Sequence, residues 1–303
     1  MQNEKKMDCY TGQEIQEANK PFIQTNCELP ACLLERSEEL NDYDFILFHL
    51  FQKDKTYREY FSKVMKEEKR MTIFDNSAYE FYRDGGFLDV SEFCEAVEEF
   101  NPTYFIVPDV LMDSVQTFGN FVCWKNILPG YKRMVVPQGR SFKEWLDCYR
   151  RMLEGGGFDY VGIPFHNDFF LDLGTAVYLL AKRENFRWND DMAYAQGRCY
   201  LLQYLNKFDL VDRSKKYHLL GSHWAEELNW IRKVNEYGDG KFNWISSIDT
   251  SFPISKGIAM RDLTEGEKEK ICIDEYFHMD FDPEQIDKIV ENIKEFRGHA
   301  KDN

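Results

Sequence analysis

The run TYFIVPDVLMDSVQTFGNFVCWKNILPGYKRMVVPQGRSFKEWLDCYRRMLEGGGFDYVGI, Thr103–Ile163, decides the fold. It holds three brief apolar blocks: TYFIVPD (103–109), KRMVVPQ (132–138) and FDYVGI (158–163). Each is nearly continuous rather than alternating, as strands buried on both faces of a parallel sheet are. Longer amphipathic segments separate them. Asp113 and Gln116 open one helix, with Val115, Phe118, Phe121 and Val122 expected on one face. Ser141 and Glu144 form a capping box for the next. There Phe142, Trp145, Leu146, Tyr149, Met152 and Leu153 recur at helical spacing.

The same alternation extends in both directions. YDFILFHL (43–50) and MTIFD (71–75) precede this stretch, and YHLLG (217–221) and WISSID (244–249) follow it. Glu226–Val234 and Gln285–Phe296 read as further helices. Repeated strand–helix alternation means a parallel α/β fold. The length of 303 residues and the strand candidates fit a single-domain (β/α)8 TIM-type barrel in which one strand stays unplaced. A doubly wound open sheet is the competing architecture, weakened because no GxGxxG follows the first strand. Residues 1–40 are expected as an N-terminal extension packing on the barrel, and residues 41–303 as the barrel. An insertion is expected near 182–216, centred on Lys182–Gly197 after the fifth candidate strand.

Hydrophobic residues make up 43% of the chain and aromatics 16%, enough for a large core and against wholesale disorder. Met1–Lys20 lacks the apolar run of a secretory signal, and no apolar stretch is long enough to span a bilayer. The expectation is a soluble cytoplasmic protein without a membrane partner. Eight cysteines are scattered without CxC, CxxC or HExxH, so the expectation is reduced thiols, no metal and no cofactor. The net charge of −15 argues against a non-specific DNA coat and leaves room for a local basic groove. The basic lean of Lys182, Arg183, Arg187, Arg198, Lys207, Arg213, Lys215 and Lys216 reads as a solvated helical face of mixed charge.

Polar residues fall at the C-terminal ends of the strand candidates. Asp75 ends MTIFD, Asp109 ends TYFIVPD, Gln138 ends KRMVVPQ and Asp249 ends WISSID, while Gly162 and Gly221 mark two other ends. In a barrel these ends meet on the face that carries active sites. Any single Asp there could merely cap the next helix, and Asp113 is a better cap than Asp109. Three carboxylates and a carboxamide at one end together favour chemistry. Two carboxylates can divide a glycosidic displacement, one attacking the anomeric carbon and one handling protons. A further Asp and a Gln suit the edge of a purine.

The order of these motifs resembles the tRNA-guanine transglycosylases and their phage and bacterial relatives that insert 7-deazaguanines into DNA. FDNSAYE (74–80) is similar to the family's D-S-G-G-F-Q segment, and VVPQGR (135–140) to its V-Q-G-G stretch. FDYVGIP (158–164) resembles G-F-D-G-Y-A-I-G-G, YHLLGS (217–222) resembles Y-L-M-G-V-G, and WISSIDTSFP (244–253) resembles D-M-F-D-C-V-x-P-T-R. The likeness runs from about Tyr43 to Pro253 and lies in order and spacing. It implies Asp249 as covalent nucleophile, Asp75 as general acid/base, Asp109 as reader of N1 and the 2-amino group, and Gln138 as reader of O6. Asn76, Gly139, Gly162, Ile163, Leu220 and Gly221 would complete the base pocket. FDNSAYE lacks the family's paired glycines, and QGR replaces Q-G-G. The C-x-C-x-x-C…H zinc module of the tRNA enzymes has no counterpart, since only Cys272, His278 and His299 follow Asp249. The resemblance therefore implies guanine exchange in DNA for a free 7-deazaguanine such as 7-cyano-7-deazaguanine (preQ0). tRNA is the alternative polymer, and a homodimer is left open. A non-catalytic partner subunit and a barrel N-glycosidase, which could use His166 or His223, are the competing classes.

Overall fold

The computed structural model describes residues 23–301 apart from 68, 166, 182–189, 225, 238–241 and 265–270; side chains at 177–181 and 236–237 are not described. Eight strands alternate with helices: β1 (Gln24–Cys27), β2 (Asp44–Leu47), β3 (Thr72–Asp75), β4 (Tyr104–Ile106), β5 (Arg133–Val135), β6 (Tyr160–Pro164), β7 (Lys216–Leu220) and β8 (Ile245–Thr250). All ladders are parallel, in the order β1-β8-β7-β6-β5-β4-β3-β2. The chain is a nearly closed (β/α)8 TIM-type barrel. The main helices are α1 (Lys55–Glu67), α2 (Ala78–Asp84), α3 (Val90–Phe100), α4 (Ser114–Trp124), α5 (Phe142–Gly155), α6 (Asp168–Ala181), α7 (Asp190–Lys207), α8 (Glu226–Tyr237), α9 (Phe252–Ile258) and α10 (Pro283–His299).

The strand left unplaced by the sequence is β1, inside the segment expected as an extension. QTNC carries no apolar run because its side chains make the closure. Asn26 Nδ2 donates to the Tyr43 carbonyl at 2.8 Å, and Asn41 Oδ1 accepts from Cys27 N at 2.8 Å. Asp42 N donates to the Thr25 carbonyl at 2.9 Å. These bonds join β1 to the approach of β2, where no ladder forms. The block YDFILFHL is also shorter as a strand than expected, since a short helix, Phe48–Lys53, begins inside it.

Side chains alternate across the pleat. On β3, Phe74 faces the helices, stacking on Phe93 at 5.4 Å and meeting Phe48 edge-on at 5.7 Å, while Asp75 faces the barrel mouth. Each such buried Phe contributes about 1.5–3 kcal/mol. Ser141 caps α5 as expected, accepting from Glu144 N at 3.2 Å, but Glu144 reaches back to Arg140 N at 3.0 Å. α4 is rotated from the expected face: Val115 and Val122 are exposed, and Thr117, Phe121 and Trp124 are buried. The cause is a tether, because the Thr117 hydroxyl bonds both the N–H and the carbonyl of Val110 at 2.9 and 3.0 Å.

Between β6 and β7 the chain forms a helical hairpin of α6 and α7; of the insertion expected near 182–216, residues 182–189 lie outside the described residues. Gly174 and Gly197 let the two helices touch: a Cβ on either would lie 1.9–2.1 Å from the facing carbonyl oxygen of Ala193 or Phe170. Arg198, counted above with a solvated face, is fully buried here. Among the described residues no helix is long and apolar enough to cross a membrane.

Candidate functional site

A cavity of about 160 Å³ opens at the C-terminal ends of the strands. That is the scale that holds one flat ring, since an apolar cavity of about 150 Å³ takes up benzene. Asp75, Asp109, Gln138, Leu220, Gly221 and Asp249 all line it, so four side chains from β3, the loops after β4 and β5, and β8 meet around one space.

Asp249 is 4% exposed. Its Oδ1 accepts from His218 Nε2 at 2.8 Å and from Gly221 N at 3.1 Å. Its Oδ2 has no hydrogen-bond partner among the described residues. One carboxylate oxygen is thus fixed and the other is available to the cavity. His218 was given no role from the sequence. Its place could have been read from alternation, because it stands two residues before Leu220 on β7, as Ser247 stands two before Asp249 on β8. The two strands pair with His218 opposite Ser247.

Asp75 lines the same cavity. Its Oδ2 accepts from Ser77 N at 3.0 Å. Burial lifts its pKa well above the ordinary carboxylate range, and the charges of Glu80, Asp109 and Asp249 add to the effect. Glu80, on α2, also lines the cavity, and its own pKa is raised, chiefly by burial. Nothing in the sequence marks Glu80, which lies inside α2 rather than at a strand end. The turn after Asp75 explains the missing glycines. Ser77 adopts φ +56°, a left-handed backbone more usual for glycine. Its hydroxyl accepts from His49 N at 3.1 Å and contacts His49 Nδ1 at 3.0 Å. His49 Nε2 in turn meets Asp274 Oδ1 at 3.1 Å, and Asp274 is held below its usual pKa first by that bond, and also by Arg83.

Asp109 receives Asn76 Nδ2 on Oδ1 at 3.0 Å and Gln138 Nε2 on Oδ2 at 2.7 Å. Burial raises its pKa and the two amides oppose that rise. Gln138 Oε1 accepts from Met112 N at 3.3 Å, which fixes the amide's orientation. Asn76 therefore acts behind Asp109 rather than on the cavity wall. Gly139, Gly162 and Ile163 do not line the cavity either. A Cβ on Gly139 would lie 2.4 Å from Trp145 N, so this glycine lets α5 dock on β5. A Cβ on Gly162 would press within 2.9 Å of Leu220 Cδ1 and Val136 Cγ2 beneath the cavity floor. Ile163 is fully buried, and its carbonyl accepts from Arg198.

Arg198 makes the largest polar network missed in the sequence. All five of its N–H groups are used. Nε and Nη2 fork onto Glu227 at 2.8 and 2.6 Å, Nη1 reaches the carbonyls of Ile163 and Leu220 at 3.3 and 3.0 Å, and Nη2 reaches Gly221 O at 2.7 Å. Arg198 and Glu227 side chains are both fully buried. The pair clamps the ends of β6 and β7, including the glycine whose N–H holds Asp249.

His223 meets Asp191 at 3.0 Å and packs on Phe165 at 4.6 Å at the cavity rim; His166 lies outside the described residues. After β8, Cys272 lines the cavity, His278 pairs with Asp54, and His299 lies 3.8 Å from Glu295, three separate places. Among the described residues no group of three or more His, Cys, Asp or Glu could hold a metal ion. No family model and no curated protein matches this chain.

Proposed function

We propose that the chain is a guanine transglycosylase that exchanges guanine in DNA for a free 7-deazaguanine base through a covalent Asp249 intermediate. The observation that carries the reading is a half-anchored carboxylate and a second carboxyl with a raised pKa lining one ring-sized cavity. Asp249 keeps Oδ2 free while His218 and Gly221 hold Oδ1, and Asp75 favours its protonated form. The target nucleotide reaches such a cavity only when flipped out or single-stranded. Asp249 Oδ2 attacks C1′ and the C1′–N9 bond breaks, with the proton for the departing guanine coming from Asp75. The incoming base then gives its N9 proton to Asp75, and N9 displaces the carboxylate. Two inversions return the β configuration. Asp109, held by the amides of Asn76 and Gln138, offers acceptors to N1–H and the 2-amino group.

Residues 250–303 favour DNA over tRNA, because their Cys and His side chains are dispersed and α10 packs on α9 and α8 instead. The test is incubation of purified protein with labelled guanine and with DNA or tRNA. Label should enter DNA, and Asp249→Ala should abolish both incorporation and any trapped protein–DNA adduct while the fold is retained. Incorporation by Asp249→Ala would end the assignment. Free abasic sites without incorporation would instead mark a hydrolase, and label in tRNA alone would move the polymer.

A further inference from the structure

We infer that His218 is a positioning residue for Asp249, the inner member of a buried chain that presents one carboxylate oxygen to the sugar. The inference rests on the exchange reaction proposed above. His218 is fully buried in the barrel interior, so it touches neither solvent nor the cavity. Phe45 stacks on its ring at 5.5 Å and 13°, and Tyr43 and Tyr160 meet it edge-on at 6.1 and 6.3 Å. The ring cannot rotate without displacing three aromatic neighbours. Both nitrogens are engaged, Nε2 with Asp249 Oδ1 at 2.8 Å and Nδ1 with Ser247 Oγ at 2.8 Å. Ser247 Oγ continues to the Tyr160 hydroxyl at 2.8 Å.

For a neutral His218 ring the protons run in one direction. Tyr160 O–H donates to Ser247 Oγ, Ser247 O–H donates to His218 Nδ1, and Nε2–H donates to the Asp249 carboxylate. With the proton on Nδ1 instead, the Nε2 lone pair would face a carboxylate oxygen at hydrogen-bond distance, which is repulsive. The bond made by one ring nitrogen thus sets the proton on the other. Since Gly221 N–H shares the same Oδ1, the carboxylate is held by two donors from β7 and its following turn, and Oδ2 is left without a hydrogen bond among the described residues, free to serve as the attacking atom. Misplacing a reacting atom by about 1 Å costs on the order of 100-fold in rate.

The test compares His218→Phe, which keeps a flat apolar ring, with His218→Gln, whose amide nitrogen can reach the Nε2 position, and with Ser247→Ala. Circular dichroism and thermal melting show that each is folded. In the exchange assay His218→Phe should lose about 100-fold in kcat with KM for the free base within about twofold of wild type. His218→Gln should recover to within about tenfold, and Ser247→Ala should fall less than His218→Phe. Wild-type kcat in His218→Phe, or a Gln variant no better than Phe, overturns the inference while the exchange reading stands. No exchange by wild-type protein sinks that reading instead. The inference is then decided by ¹⁵N-histidine NMR, which must show the Nε2–H tautomer for His218; the Nδ1–H tautomer overturns it.

Discussion

Replacing Arg198 by Met should separate stability from site geometry. The guanidinium uses five donors, two of them on Glu227, and both side chains of the pair are fully buried. Removing the cation strands a buried carboxylate and frees three backbone carbonyls. Breaking one side of a buried pair costs about 3–5 kcal/mol. At about 2 °C per kcal/mol for a large domain, the melting temperature should fall by roughly 6–10 °C. The double variant Arg198→Met with Glu227→Leu removes the stranded charge, so it should melt above the single variant. It should stay below wild type, because the carbonyls of Ile163, Leu220 and Gly221 remain without a donor, at about 1–3 kcal/mol for each buried group left unsatisfied. Differential scanning calorimetry reads the first effect. Base exchange at a temperature where all three proteins are folded reads the second, and the double variant should remain impaired, because Gly221 no longer has its carbonyl clamped. A melting temperature for Arg198→Met within about 2 °C of wild type, or full exchange activity in the double variant, would refute the clamp.

Two further outcomes follow from the same geometry. Asp75 has a folded pKa above its unfolded value, so the folded state binds the extra proton and stability falls as pH rises through that window. Asp75→Asn should therefore melt with wild type near pH 4 and increasingly above it toward neutral pH, while exchange is lost; a gap that does not grow with pH contradicts the burial of this carboxyl. Gly162→Ala would drive a methyl within 2.9 Å of Leu220 and Val136, both on the cavity wall, and overpacking of this kind costs about 1–3 kcal/mol. KM for the free base should rise about tenfold, and an unchanged KM would show that the floor yields elsewhere.

The strands were legible because burial on both faces leaves an almost unbroken apolar block, as in TYFIVPD and YVGIP. β1 is not, because closing the barrel falls to the Asn26 amide, to the Thr25 hydroxyl, which donates to Asp42 at 3.0 Å, and to the backbone of QTNC, and a polar tetrapeptide has no periodicity to read. That Asp75, Asp109, Gln138 and Asp249 line one cavity is legible from their position at strand ends, a rule of topology that needs no side-chain geometry. The residues behind them were hidden for a matching reason. His218 and Ser247 are polar in mid-strand, where sequence reasoning expects apolar packing, and only the register across β7 and β8 makes them neighbours. Arg198 looks like surface because its counter-charge, Glu227, lies on another helix. Gly139 and Gly162 were assigned to ligand contact, and their lack of a side chain serves helix docking and core packing instead.

The strand bearing Asp249 lies next to the seam of the barrel, which runs between β1 and β2. β8 pairs with β7 on one side and β1 on the other, and Asn26 is the register partner of Asp249 with nearly the whole fold between them in sequence. A half-shell of β2 to β7 could assemble early and bring Asp75, Asp109 and Gln138 together, yet it would enclose nothing. The cavity acquires its last wall when distant ends of the chain zip together, a step delayed by loop-closure entropy. Ring capture and completion of the fold are then one event, so lesions in the closure itself, at Asn26 or Asn41, would present themselves as catalytic defects.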